Sequence, residues 1–112
     1  MNRSEMYNVV RTNYVPGDAK FLDTNGKFHN FGSAHSEEGV FQFSENREDV
    51  TPMPRHHLCS MLELEEGDDP QCGSYPVMIK TYGIHGKYDI REIHGYYVVG
   101  NDLVFTEAIK KN

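Results

Sequence analysis

Two tight-turn signals, each flanked by short aromatic or β-branched runs, constrain this chain more than any other feature. In KFLDTNGKFHNF the pair Asn25-Gly26 suits a turn with positive φ, and its flanks make a β-hairpin. Phe21 and Phe28 are then candidates to pack on a common face. In YYVVGNDLVF the pair Gly100-Asn101 turns a second hairpin over residues 96–105. Between them GVFQFS alternates, with Phe41 and Phe43 on one face and Val40 and Gln42 on the other.

Residues 6–11 (MYNVVR), 76–82 (PVMIKTY) and 88–94 (YDIREIH) also read as strands. Residues 58–66 (LCSMLELEE) fit a helical face or a strand. The strand is preferred because Gly and Pro bound a segment short for a helix. SENREDV opens on a capping-type Ser44 and reads as one or two helical turns, stopped by Pro52 and Pro54. Pro16-Gly17 marks a turn, GDDPQCGS a loop, and the tail TEAIKKN one helical turn or a frayed end. The fold expected is one domain over residues 1–112, mainly β to α+β. Antiparallel hairpins would form a sheet or small barrel with few helical residues.

At 112 residues the chain has length for one domain and one core. No apolar run approaches the roughly 20 residues that span a bilayer, and MNRSEMYNVV lacks the apolar stretch of a secretory signal. Two cysteines are too few for a disulfide scaffold, so a reducing cytoplasm is the expected compartment. IHGKY and IHGYY echo each other nine residues apart. Two such copies fall short of a repeat architecture.

The net charge of −6 is unevenly spread. Between positions 37 and 69 stand Glu37, Glu38, Glu45, Glu48, Asp49, Glu63, Glu65, Glu66, Asp68 and Asp69. Only Arg47 and Arg55 oppose these ten acids, leaving −8, whereas seven acids and nine bases elsewhere leave +2. This segment disfavours direct nucleic-acid binding, because phosphates select Lys and Arg. It suits a basic surface on another protein, including a nucleic-acid-binding groove. A solvated loop that aids solubility accounts for the same residues. If 62–66 is a strand, Glu63 and Glu65 share one face while Leu62 and Leu64 turn to the core. Glu66, Asp68 and Asp69 extend the charge beyond it, and these five acids are the candidate partner-binding residues.

No residue set carries a catalytic signature, and no cofactor is expected. His56, His57, Cys59 and Cys72 have zinc-type donors, but neither a C-x-x-C nor a spaced His pair is present. Adjacent His56 and His57 would point to opposite sides of a strand, and Cys59 would be a small buried apolar group, so no metal site is assigned. His29 and His35, six apart, match no metal spacing. Phosphate-loop, dinucleotide and H-E-x-x-H motifs are absent from the sequence. Tyr75, Tyr82, Tyr88, Tyr96 and Tyr97 could stack bases, with Lys80, Lys87 and Arg91 on phosphates. They could equally make a protein-binding face or close a small β core.

GVFQFSENREDV resembles the G-F-x-F-x-E-N-x-x-D-V stretch of a family of small uncharacterised phage-encoded domains, followed in similar order by LCSMLELEE and YDIREI. The resemblance covers residues 39–93 and implies a phage or prophage accessory protein, with no chemistry to carry over. G-V-F-x-F-S also resembles a core strand of ADP-ribosyltransferase-like folds, with Glu63-Leu64-Glu65 similar to their E-x-E element and Arg11 to their N-terminal arginine. The central Ser-Thr-Ser element of many such enzymes is absent here. The leading expectation is a phage-type protein in the host cytoplasm that binds and inhibits a host protein through its acidic surface. It has no membrane partner, and self-association is left open. The alternatives are an ADP-ribosyltransferase-like enzyme or a small nucleotide- or RNA-binding β domain.

Overall fold

The computed structural model describes residues 1–45 and 51–107. Its sheet is built from two meanders of three strands. The first is β1 (Asp18–Leu22), β2 (Phe28–Glu37) and β3 (Val40–Glu45); a two-residue β4 (Met53–Pro54) comes next. The second is β5 (Val77–Tyr82), β6 (Tyr88–Val99) and β7 (Asp102–Glu107). Within each meander the pairing is antiparallel. The meanders join through two parallel seams, β3 with β5 and β7 with β1, and so close a six-stranded barrel. β4 adds to the outer edge of β1.

The two meanders are copies of one arrangement. Ala19 and Phe21 take the places of Val77 and Ile79, while Phe31, Phe43 and Glu45 take those of Ile93, Phe105 and Glu107. The pairing Phe21 to His29 recurs as Ile79 to Arg91, and the seam pairing Phe43 to Ile79 recurs as Phe105 to Phe21. Even the bulge recurs. Three steps from Phe31 to Ala34 face two on β3, as three from Ile93 to Tyr96 face two on β7. The IHGKY and IHGYY echo is not this repeat, since Ile84 lies in the β5–β6 connection and Ile93 inside β6. Two units suffice because each supplies the edges that the other lacks.

Alternation puts one side chain from each barrel strand into a central layer: Phe21, Phe31, Phe43, Ile79, Ile93 and Phe105, all buried. Phe31 meets Phe43 edge-on at 4.9 Å and Phe105 at 6.0 Å, filling the barrel across its two halves. The mouth at the starts of β1, β3, β5 and β7 is plugged by helices α1 (Arg3–Thr12) and α2 (Arg55–Leu62). Met6 and Val10 on α1, and Leu58 and Leu62 on α2, are four apart and fully buried. Each such side chain contributes about 1.5–3 kcal/mol on burial.

Both helices correct the sequence expectations. Residues 6–11 form helix because Asn2 accepts from the Glu5 N–H while the Glu5 side chain accepts from the Asn2 N–H. That cap outweighs the strand preference of Tyr7, Val9 and Val10. Residues 58–62 are also helix. Pro54 stands at its N-cap, so the proline that halts the preceding segment also opens this helix. Beyond Leu62 the chain is not strand, and GDDPQCGS contains a 3-10 turn at Pro70–Ser74. Phe21 and Phe28 lie on opposite faces, because Phe21 pairs with His29 and Phe28 with Leu22. Ser44 and Glu45 continue β3. The rest of the helix expected there, and the tail after Glu107, lie outside the described residues.

The β2–β3 turn holds Glu38 at φ 50° and Gly39 at φ 78°. A non-glycine residue in this region is strained, and Asn tolerates it better. Glu38→Asn is expected to raise stability by about 0.5–1 kcal/mol, read from the urea midpoint at unchanged slope.

Candidate functional site

At the mouth opposite the helices, the barrel interior turns polar. Asp23, His29, Glu45, Thr81, Arg91 and Glu107 form this layer, one from each strand or its immediate end. They fall into two equivalent sets. His29 lies between carboxylates, with Nε2 2.7 Å from Asp23 and Nδ1 2.9 Å from Glu45. Arg91 takes the same place in the other half, donating from Nε to Thr81 Oγ1 at 3.1 Å and from Nη1 to Glu107 at 2.8 Å. The carboxylates then cross between halves. Glu45 accepts from the Tyr82 N–H and Glu107 from the Thr24 N–H, both at 3.0 Å.

An imidazole offers two donors only when protonated, so the imidazolium form donates to both carboxylates. Burial opposes ionisation of Asp23. The bond to His29, the Lys27 and Asn25 N–H groups and the nearby His29 charge override it and hold the carboxyl below its usual range. Burial likewise opposes the Arg91 charge, but Glu107, helped by Asp23 and Asp89, raises its pKa. Among the described residues no buried side-chain polar atom lacks a partner. The layer is therefore a connected network whose fully buried polar atoms are all paired within the protein.

The five predicted partner-binding residues are all exposed, although their segment is not a strand. Glu63 is the C-cap of α2, and the alternation survives around it, with Leu62 buried and Leu64 half-buried. Asp68 accepts from the Glu65 N–H at 2.7 Å, and Asp69 from the Gln71 N–H at 2.9 Å. These two acids brace the loop, while Glu63, Glu65 and Glu66 project without a side-chain bond to any described residue. Arg3 anchors the segment from below. Its guanidinium donates to the carbonyls of Leu62 at 3.0 Å and Glu63 at 3.2 Å, and stacks 4.3 Å over Phe41. Glu63, Glu65 and Asp68 line an open groove of about 290 Å³ together with Arg3, Phe41 and Met61. Glu45 is largely withdrawn from the acidic surface, its carboxylate bonded to His29 and the Tyr82 N–H.

Other candidates are dispersed. His56 and His57 are exposed neighbours on a helix, and Cys59 is half-buried on that helix rather than on a strand. Among the described residues no three His, Cys, Asp or Glu side chains gather as a metal cage. Arg11 sits on exposed helix bonded to Asn8. Lys80 lies 4.2 Å over Tyr88 and 5.6 Å over Tyr82, but Tyr96 and Tyr97 stand about 25 Å further along β6. The five tyrosines therefore share no single face. No helix among the described residues is long and apolar enough to cross a membrane.

Compared with family models, curated proteins and solved structures, the chain matches none. The polar layer was missed because its members lie far apart in sequence. One signal pointed to it: Phe43-Ser44-Glu45 and Phe105-Thr106-Glu107 end equivalent strands.

Asp23→Asn keeps an oxygen for the Asn25 and Lys27 N–H groups but removes the anion facing His29. Breaking this buried pair is expected to cost about 3 kcal/mol at pH 7. Because the folded carboxyl titrates below the ordinary 3.8, its contribution is present above that value and fades as pH falls through the folded one. Urea unfolding of parent and variant should therefore converge in acid.

Proposed function

We propose that this protein works by binding, as a small accessory domain of phage type that occupies and blocks a basic site on a host protein. The observation that carries the reading is the braced acidic segment, with Glu63, Glu65 and Asp68 lining one groove. Such a groove suits a Lys or Arg side chain, whose stem would lie along Met61 while its charge meets Glu63, Glu65 and Asp68. Asp68, Asp69 and Arg3 hold the loop before any partner arrives, so little ordering entropy is lost on binding. The Arg3 cation also lines the groove, where it is held by backbone carbonyls and outnumbered by three carboxylates.

The bracing determines which residues test the idea. Reversing Asp68 or Asp69 would unmake the loop, whereas Glu63, Glu65 and Glu66 can change without losing a described bond. The triple variant Glu63→Gln, Glu65→Gln, Glu66→Gln is expected to melt like the parent. A host-lysate pull-down with the parent should retain a stoichiometric protein at low salt and lose it progressively as salt rises. The triple variant should lose it already at low salt. Equal retention by parent and variant would refute the acidic-surface reading.

A further inference from the structure

The internal repeat supplies a control for every surface position, and at one edge the two halves disagree. Beyond Glu92, β6 pairs with β7, and its other edge meets the Met1 ammonium at the Ile93 carbonyl, 2.9 Å away. From His94 to Val99 that edge has no strand partner among the described residues. Tyr96, Tyr97, Val98 and Val99 lie along it, exposed by 46%, 39%, 45% and 53%. The equivalent positions on β2 hold Ala34, His35, Ser36 and Glu37, and the last three are likewise exposed. There, small polar and charged side chains protect an open edge in the ordinary way. The fold thus tolerates polar residues at this position, and apolar ones on β6 are not required to close the barrel.

We propose that the β6 edge is a self-association surface, on which a second copy of this chain pairs antiparallel, residues 95–99 against 99–95, about a two-fold axis through Tyr97. Charge argues for a second copy. The chain carries −6, so two copies repel over most of their surfaces, yet residues 93–101 (IHGYYVVGN) contain no Asp, Glu, Lys or Arg. At this seam, identical chains meet without opposing like charges. An antiparallel two-fold arrangement sets the Tyr96 and Val98 side chains of both copies on one face and Tyr97 and Val99 on the other. The exposed parts of four side chains and one strand edge give on the order of 600–800 Å² in all, below the ~1,200 Å² of a stable interface. The dimer is therefore weak and concentration-dependent.

Sedimentation velocity of the full chain under reducing conditions, from about 5 µM to about 500 µM, reads this directly in the weak-affinity range. The weight-average mass should climb from monomer towards dimer across the series. Copying the other half with Val98→Ser and Val99→Glu leaves Tyr97 over Val104 and sets a charge into the seam. That variant should weaken association at least about tenfold while keeping the parent's circular dichroism and melting point. Val98→Thr, which retains β preference without charge, should keep partial association if folding of the edge strand is intact. The β2 variant His35→Lys should leave association unchanged. A parent that stays monomeric throughout overturns the proposal. So does a dimer that persists in the folded Val98→Ser, Val99→Glu variant, or one that His35→Lys dissolves. Because none of these residues lies in the acidic loop, failure here leaves the partner-binding reading untouched.

Discussion

Glu45 and Glu107 each reach across a seam between the two halves of the barrel to hold a backbone N–H of the other half. Everything else in the structure depends on the closure these carboxylates secure. The two parallel seams are where the meanders meet, and parallel pairing is the less stable kind per residue. A hydrogen bond to a charged acceptor contributes about 1.5–3 kcal/mol, and here each is placed where a seam would otherwise fray. With both seams shut, the six apolar side chains of the central layer are enclosed and no barrel strand lacks a neighbour on both sides at that level.

The same carboxylates create a demand that the rest of the layer answers. Glu45 and Glu107, largely withdrawn from solvent, need hydrogen-bond donors, and His29 and Arg91 supply them from equivalent positions on β2 and β6. His29 then needs a second acceptor, which Asp23 provides. Arg91 Nε finds Thr81 in Asp23's place. The halves have diverged here in chemistry while keeping the geometry. The bonds within this layer tie strands of both halves together. The two surfaces proposed for binding lie outside it, on the acidic loop fixed by Arg3 and on the uncharged edge of β6.

The sequence showed some of this plainly. Asn25-Gly26 and Gly100-Asn101 placed both hairpins, and alternation in GVFQFS placed Phe41 and Phe43 inside, because turn chemistry and strand period are local properties. The exposure of Glu63, Glu65, Glu66, Asp68 and Asp69 was equally readable, since five acids within seven residues cannot all be buried. Helix α1 was hidden by β-branched residues, and its capping box at Asn2 and Glu5 was the overlooked signal. Helix α2 was hidden by a start placed too late. The window 58–66 joins the last five helical residues to four that lie beyond the helix, which blurs the period, whereas Arg55–Leu62 gives two turns with Leu58 and Leu62 on one face.

What the sequence determined by itself was therefore the local code: which stretches turn, which alternate, and which carry charge too dense for an interior. The tertiary structure alone decided that the chain is two copies of one meander. Interior positions need share only size and polarity, so Phe31 can answer to Ile93 and His29 to Arg91 without any visible likeness. It alone assigned opposite fates to carboxylates of one acidic segment, Glu45 to a half-buried seam and Glu63 to solvent. It also turned two equivalent strand edges into one guarded by Glu37 and one left apolar at Val99. Each of these outcomes depends on what lies across a barrel from a residue, and partners brought together by closure have no signature in the residues that separate them along the chain.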